Sequence, residues 1–123
     1  MRIKESAENY LETILMLKNK NGHVRSIDIA NEMKFTKASV SVAMKHFREE
    51  QLITVAPDGE ITLTDKGLEI ATKVAERHDT IAMLLIKLGV DKDTALSDAC
   101  KMEHDISDET FEKIKLFIQS EEQ

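Results

Sequence analysis

The chain has 123 residues, 41% of them hydrophobic, with four glycines and one proline. That length suits one domain or two small units sharing a core, and the composition indicates an ordered, mainly helical protein. No apolar run approaches the roughly 20 residues needed to span a bilayer, and no signal-peptide pattern opens the chain. The single cysteine excludes an internal disulfide, so we expect a protein of the reducing cytoplasm, with no membrane partner.

The formal net charge of -6 argues at first against a nucleic-acid partner. Its distribution changes that conclusion. Residues 1–89 carry 13 basic and 13 acidic side chains, whereas residues 90–123 carry 4 and 10. Because the acidic excess is confined to the C-terminal part, the N-terminal part can meet a polyanion through local basic positions.

A first helix is predicted from about Glu5 to Lys18, with Ser6 as its N-cap. Asn9 and Glu12 are three residues apart and so share one face of this helix. That face lies beside an apolar stripe with helical spacing. The stripe consists of Ala7, Tyr10, Leu11, Ile14, Leu15 and Leu17.

A helix-turn-helix and a β-hairpin are predicted next. The first helix covers Ser26–Met33 with Ser26 as its cap, and Thr36 caps the second helix after a brief turn. Two segments rich in β-branched residues, 52–56 and 60–64, then flank the turn sequence Pro57-Asp58-Gly59. A helix-turn-helix followed at once by a hairpin is typical of a winged helix, which we assign to residues 1–64.

The C-terminal part, residues 65–123, is predicted to be a helical dimerisation domain, which makes the fold mainly α. A long helix runs from about Asp65 to Leu88, and two more cover about Lys92–Asp105 and Ser107–Ser120. These helices are too few to bury their apolar faces within one chain, so we expect a homodimer. The predicted apolar positions are Leu68, Ala71, Val74, Ala75, Ile81, Ala82, Leu85, Leu88, Phe111, Ile114, Phe117 and Ile118.

The helix that begins at Thr36 is the candidate reading helix for the major groove of double-stranded operator DNA. Lysine and serine suit phosphate contacts, and Ala38 and Val42 can touch thymine methyl groups. An alternative is that these are simply solvated positions of an amphipathic helix. The candidate DNA-binding residues are Ser26, Thr36, Lys37, Ala38, Ser39, Ser41, Lys45, His46 and Arg48.

Cys100, Glu103 and His104 stand at positions i, i+3 and i+4, so in a helix they project from one face. A thiolate, a carboxylate and an imidazole on one face can supply three ligands to a divalent transition metal. The spacing alone is a weak signal. The alternative is that Cys100 is a small buried hydrophobe and the other two are solvated surface.

The order of these parts resembles the metal-dependent repressors of the diphtheria toxin repressor and manganese transport regulator family, in its short form without an SH3-like domain. The motifs that support the resemblance are Asn9-Tyr10-Leu11-Glu12, Leu63-Thr64-Asp65-Lys66-Gly67, Arg77-His78, Asp98-Ala99-Cys100-Lys101-Met102-Glu103-His104 and Ser107-Asp108-Glu109. The resemblance implies a metal-dependent transcriptional repressor, in which metal fixes the distance between two DNA-reading heads of a homodimer.

The resemblance also implies the metal ligands. The primary site falls on Cys100, Glu103, His104 and Asn9. At the position of Asn9, the iron branch of the family has methionine and the manganese branch has aspartate. A second site falls on Glu12 and His78, with Glu103 shared. His78 has an alternative role, because a histidine on an apolar stripe is often a core residue with satisfied ring nitrogens.

Cysteine at position 100 resembles the iron branch, whereas the manganese branch has glutamate there. A thiolate beside imidazole and carboxylate favours Fe(II), Co(II), Ni(II) or Zn(II) over Mn(II). We therefore expect Fe(II), with Mn(II) as the alternative and Zn(II) third. No small organic substrate is expected.

Two other classes of function are weighed against this one. A metal-free winged-helix regulator would sense an organic ligand or redox state through Cys100. An enzyme would use Cys100 as nucleophile and His104 as base, but no third orienting group and no oxyanion-forming turn adjoins them. We therefore predict that the chain is not an enzyme.

Overall fold

The computed structural model describes residues 5–121. Over these residues the chain is mainly helical, as predicted, with one small antiparallel sheet. The elements in chain order are α1 (Glu5–Asn21), α2 (Ser26–Met33), α3 (Lys37–Glu49), β1 (Ile53–Val55), β2 (Ile61–Leu63), α4 (Asp65–Lys87), α5 (Lys92–Met102) and α6 (Asp108–Glu121). None of the helices in this part of the chain is both long enough and apolar enough to cross a membrane.

The chain divides into two compact units, and the boundary between them follows Thr72, inside α4. The domain boundary predicted after residue 64 differs from this division into compact units, and it stays a prediction. The first unit contains the helix-turn-helix and the hairpin, and its core is drawn from every element there. Side chains no more than 1% exposed in this core are Leu11, Ile14, Val24, Ile29, Val40, Leu52, Ile53, Ile61 and Ala71.

Local capping explains the boundaries of the helix-turn-helix. Thr36 is the N-cap of α3, as predicted, because its Oγ1 accepts a hydrogen bond from Ser39 N at 3.1 Å. Ser26 is not the cap of α2, and that prediction was wrong. The N-cap residue is Arg25, whose N–H donates to Asp28 Oδ2 at 2.9 Å, so the acid three residues on replaces the serine.

α1 is helical from Glu5, the first residue that the structure describes, so Ser6 lies within the helix and is not its N-cap. The helix continues to Asn21, past the predicted end at Lys18. Element ends are the least certain part of any pattern-based assignment, because one or two residues of fraying or extension cost little free energy.

The wing is a short hairpin tied to the helix-turn-helix. Ile53 lies opposite Leu63, and Val55 lies opposite Ile61. At the tip, Asp58 Oδ1 accepts a hydrogen bond from Glu60 N at 2.9 Å, which is the local turn chemistry expected of aspartate. Arg25 Nη2 lies 3.3 Å from Asp58 Oδ2, so an ion pair joins the start of α2 to the tip of the wing.

Gly67 is required where α4 leaves the wing. A Cβ at this position would lie 2.1 Å from the carbonyl oxygen of Leu52, far inside van der Waals contact. Thr64 fixes this close approach, because its Oγ1 accepts from Gly67 N at 3.1 Å and donates to Gln51 O at 2.7 Å. The sequence Leu63-Thr64-Asp65-Lys66-Gly67 is therefore a helix cap joined to a backbone contact.

The second unit contains the rest of α4 with α5 and α6. Ser107 caps α6 as predicted, since its Oγ accepts from Thr110 N at 3.1 Å. The core of this unit is small. Three predicted apolar positions are exposed in the single chain: Leu68 in the first unit, Leu88 just past the end of α4, and Phe117 in α6. Leu68 is 42% exposed, Leu88 is 69% exposed and Phe117 is 52% exposed. The helical period predicts which face of a helix is apolar, but it does not predict how much of that face neighbouring elements cover.

Candidate metal centre

A buried carboxylate lies at the end of α5. Glu103 is 2% exposed and is the one buried charged residue in the part of the chain that the structure describes. The helix itself ends at Met102, before the predicted end at Asp105, and Glu103 is its C-cap residue. Burying a carboxylate costs several kcal/mol unless positive or hydrogen-bonding groups compensate it, so its surroundings are informative.

Two histidines contact the two oxygens of this carboxylate. His78, from α4, places Nδ1 at 3.2 Å from Glu103 Oε2. His104, from the turn after α5, places Nε2 at 3.2 Å from Glu103 Oε1. The side chains of His104 and Glu103 are 2% and 0% exposed, so the alternative that they are solvated surface is wrong.

The donor set fits a divalent transition metal. Two ligands that share one such ion, each ~2.1 Å from it, lie about 3 Å apart, which is close to the separations seen here. The buried Nδ1 of His78 makes no hydrogen bond to any described residue. A cation bound between this nitrogen and the carboxylate would give the nitrogen a partner.

The other three predicted ligands are placed as follows. Cys100 is exposed in the single chain and lies on α5, one turn before Glu103. The alternative that it is a small buried hydrophobe is therefore wrong. Asn9 and Glu12 lie on α1 in the first unit, and both are half-buried.

The candidate DNA-reading residues of α3 form an exposed surface. Two of the hydroxyls are already engaged in the helix cap, since Thr36 Oγ1 donates to Ser39 Oγ at 2.9 Å. His46 Nε2 lies 2.9 Å from Glu50 Oε1, so this histidine has an acidic neighbour on the same helix. The exposed residues are Thr36, Lys37, Ala38, Ser39, Ser41, Val42, Lys45, His46 and Arg48, while Ser26 is half-buried at the start of α2.

A winged helix followed by helices that bear an acid–histidine cluster defines a metal-responsive DNA-binding regulator. Residues 2–61 match the iron dependent repressor N-terminal DNA binding domain, and residues 64–122 match the iron dependent repressor metal binding and dimerisation domain. The chain belongs to this family of metal-dependent transcriptional repressors. The resemblance found in the sequence is confirmed, and so is the prediction that the chain is not an enzyme, because family members are transcriptional regulators.

Individual relatives agree with this assignment. The chain is 35% identical over 119 residues to an uncharacterized HTH-type transcriptional regulator of Methanocaldococcus jannaschii, covering 95% of each chain. It is 32% identical over 116 residues to the transcriptional regulator MntR of Escherichia coli O6:H1, covering 94% of this chain and 75% of that one. The solved structure of the manganese regulator SloR is similar, with a TM-score of 0.79 and 26% identity. That similarity covers 97% of this chain but 55% of SloR, so the chain spans about half the length of this structural relative.

Proposed function

We propose that this chain represses transcription when it is loaded with Fe(II), binding operator DNA as a homodimer in the cytoplasm. Mn(II) is the alternative effector and Zn(II) the third. The observation that carries the proposal is the buried carboxylate of Glu103 between two imidazole nitrogens, each 3.2 Å away, in a chain of the iron-dependent repressor family.

The proposed primary ligands are Cys100, Glu103, His104 and Asn9, and Glu12 and His78 supply a second site that shares Glu103. The contacts of Glu103 with His78 and His104 support the part of this set that lies in the second unit. The exposed thiol of Cys100, one turn earlier on α5, supports its inclusion, because a thiolate must be accessible to reach a metal. Asn9 and Glu12 are included on the sequence pattern of α1 and the family resemblance.

The chemistry of Cys100 is the reason to prefer Fe(II). Thiolate ligands favour the later transition metals, whereas Mn(II) is suited by carboxylate, carbonyl and water. The similar SloR structure is that of a manganese regulator, which keeps Mn(II) as the alternative. The two proposals differ in one respect that can be measured, namely whether Cys100 contributes to affinity.

The proposed switch uses ligands from α1 and from α4 and α5. A bound divalent cation supplies the positive charge that allows a thiolate and carboxylates to share one site. Asn9 and Glu12 would then restrain α1, which packs against α2 in the first unit. We propose that this restraint fixes the two reading heads of the dimer about 34 Å apart, one turn of DNA, or a multiple of that distance.

A DNA-binding titration tests the proposal. Duplexes are selected from a random pool on the protein, once under anaerobic Fe(II) and once with chelator, and their affinities are measured with Fe(II), Mn(II), Zn(II) or chelator. We expect tight, sequence-specific binding that chelator abolishes and Fe(II) restores best. By linkage, the selected duplex must tighten metal binding by the same factor. Affinity that is the same with metal and with chelator would contradict the proposal.

The exposed thiol also favours a second candidate function. If Cys100 senses redox state directly, DNA affinity would be indifferent to chelator and sensitive to mild oxidant. The same titration, repeated with hydrogen peroxide and then with dithiothreitol, separates this function from the metal-dependent one.

A further inference from the structure

Arg77 connects α4 to the turn between α5 and α6. Its Nη1 donates to two backbone oxygens, those of Glu103 and Ile106, each at 3.1 Å. Its Nη2 pairs with Asp108 at the start of α6. The guanidinium carbon lies 5.2 Å from the ring centroid of Phe111, and the side chain is 18% exposed. One side chain therefore contacts both ends of the turn and the helix that follows it.

The turn that Arg77 holds carries two of the proposed ligands. Carbonyl groups at the end of a helix have no partner within the helix and must find one elsewhere. Glu103 is the C-cap residue of α5, and Arg77 provides the donor that its carbonyl lacks. Because the same nitrogen also binds the Ile106 carbonyl, the backbone on both sides of His104 is fixed from outside the helix.

We propose that Arg77 is a positioning residue of the metal site, which holds the turn from Glu103 to Ile106 in the ligand-bearing conformation before metal binds. This inference depends on the proposed role of Glu103 and His104 as ligands. A turn that is already ordered loses less conformational freedom when its side chains bind an ion, so the site binds more tightly. Groups that orient ligands without touching the metal affect affinity in this way.

The sign of the effect distinguishes positioning from simple charge. A guanidinium close to a cation site repels the cation, so if charge were its main influence, removing it would tighten metal binding. Positioning predicts the opposite, weaker binding. Lysine keeps the charge but presents a single ammonium in place of a planar fork, so it cannot reproduce the contacts with both carbonyls and Asp108.

The test compares Arg77→Gln and Arg77→Lys with a matched control. Lys115→Gln removes the contact of Lys115 Nζ with Glu76 Oε1, at 3.1 Å. That pair also joins α4 to α6, and its partner on α4 is the residue next to Arg77, but it involves no residue of the turn. Affinities for Co(II) and Mn(II) are measured by competition with a chelating dye. Amide hydrogen exchange is measured without metal at Glu103 and Asp105, whose N–H groups donate to Ala99 O and Met102 O at 3.0 and 3.1 Å.

We expect Arg77→Gln to weaken metal binding about 10–100-fold and to speed exchange at both amides. Arg77→Lys should also weaken metal binding and speed exchange, and Lys115→Gln should match the wild type in both measurements. Unchanged or tighter binding by Arg77→Gln would overturn the inference whatever the exchange rates. If Arg77→Gln does not fold, Arg77→Lys decides the question by the same criteria. Failure of the wild-type protein to bind either metal would overturn the proposed function and this inference together, whereas normal binding by a folded variant would overturn the inference alone.

Discussion

Nδ1 of His78 lies 3.2 Å from Oε2 of Glu103, although one residue comes from the middle of α4 and the other from the end of α5. The ring nitrogens of a histidine on the apolar side of a helix would ordinarily form hydrogen bonds with neighbouring backbone groups. This one instead faces a carboxylate that is fully buried. The pair brings an imidazole nitrogen and a carboxylate oxygen together at buried atoms, and a divalent transition metal binds donors of both types.

Glu103→Gln should abolish the metal response while leaving the fold intact. Glutamine has nearly the same shape as glutamate but lacks the charge that attracts a cation. Loss of a residue that only orients a metal ligand lowers metal affinity about 10–100-fold, so loss of a ligand should lower it at least about 100-fold. Circular dichroism and thermal unfolding report the fold, and the DNA titration reports the response. The control is Asp105→Asn, which neutralises an exposed carboxylate of the same turn. A metal-dependent gain in DNA affinity that survives Glu103→Gln would contradict the assignment.

Cys100→Ser should change which metal the protein prefers. Loss of the thiolate should weaken Fe(II), Co(II) and Zn(II) binding more than Mn(II) binding, because Mn(II) gains little from sulfur. Competitive titration of each metal on wild type and variant measures the selectivity directly. Ser97→Ala, one turn earlier on the exposed side of α5, is the control. Equal losses for all four metals would show that Cys100 does not set selectivity.

Lys37→Gln should weaken DNA binding mostly through phosphate contacts. Each phosphate contact releases counterions, so the slope of log affinity against log salt should decrease in magnitude by about 1, similarly for different DNA sequences. Lys92→Gln, an exposed lysine at the start of α5, serves as the control and should leave the slope unchanged. A variant that lost discrimination between sequences but kept its salt slope would place Lys37 on a base edge instead.

Asp58→Asn should remove a pH-dependent part of the stability of the first unit. The pKa of Asp58 is lowered, chiefly because its carboxylate accepts a hydrogen bond from the Glu60 backbone N–H and secondarily because Arg25 is near. A carboxyl whose pKa is lower in the folded state stabilises the fold above its unfolded pKa and loses that contribution as pH falls through the folded pKa.

Urea unfolding at about pH 7 and about pH 2 should therefore show wild type more stable than Asp58→Asn at the higher pH and little difference at the lower one, which is below the ordinary pKa of aspartate. Glu69→Gln, an exposed acid on α4 of the same unit, is the control. A difference that is constant with pH would mean that the asparagine disturbs the turn geometry and not the charge.

Local signals were enough to predict most of the fold. Thr36 and Ser107 cap their helices as expected, and Pro57-Asp58-Gly59 forms the tip of the wing. The failures have two causes: a nearby residue takes a role predicted for another, or neighbours from other elements decide what is buried. Asp28 replaces Ser26 as the capping group, and the exposure of Leu88 depends on which neighbours cover it, which no helical period records.

The candidate site was predictable in part for the same reason. Glu103 and His104 are adjacent in sequence, so their shared position follows from local spacing. His78 was assigned through the family resemblance, because nothing in its own surroundings in the sequence points to Glu103. No role was predicted for Arg77, because its hydrogen bonds with the carbonyls of Glu103 and Ile106 join segments far apart in sequence, and no local pattern of residue types indicates them.

The most direct test of the central claim is a crystal structure of the protein grown with excess Fe(II) or Mn(II), with anomalous diffraction recorded on both sides of the metal absorption edge. We predict an anomalous peak within ligand distance of Glu103, bonded to His104 and Cys100 or to His78. A pocket that holds only water, with His78 and His104 still pairing Glu103 as an imidazole–carboxylate cluster, would contradict the account.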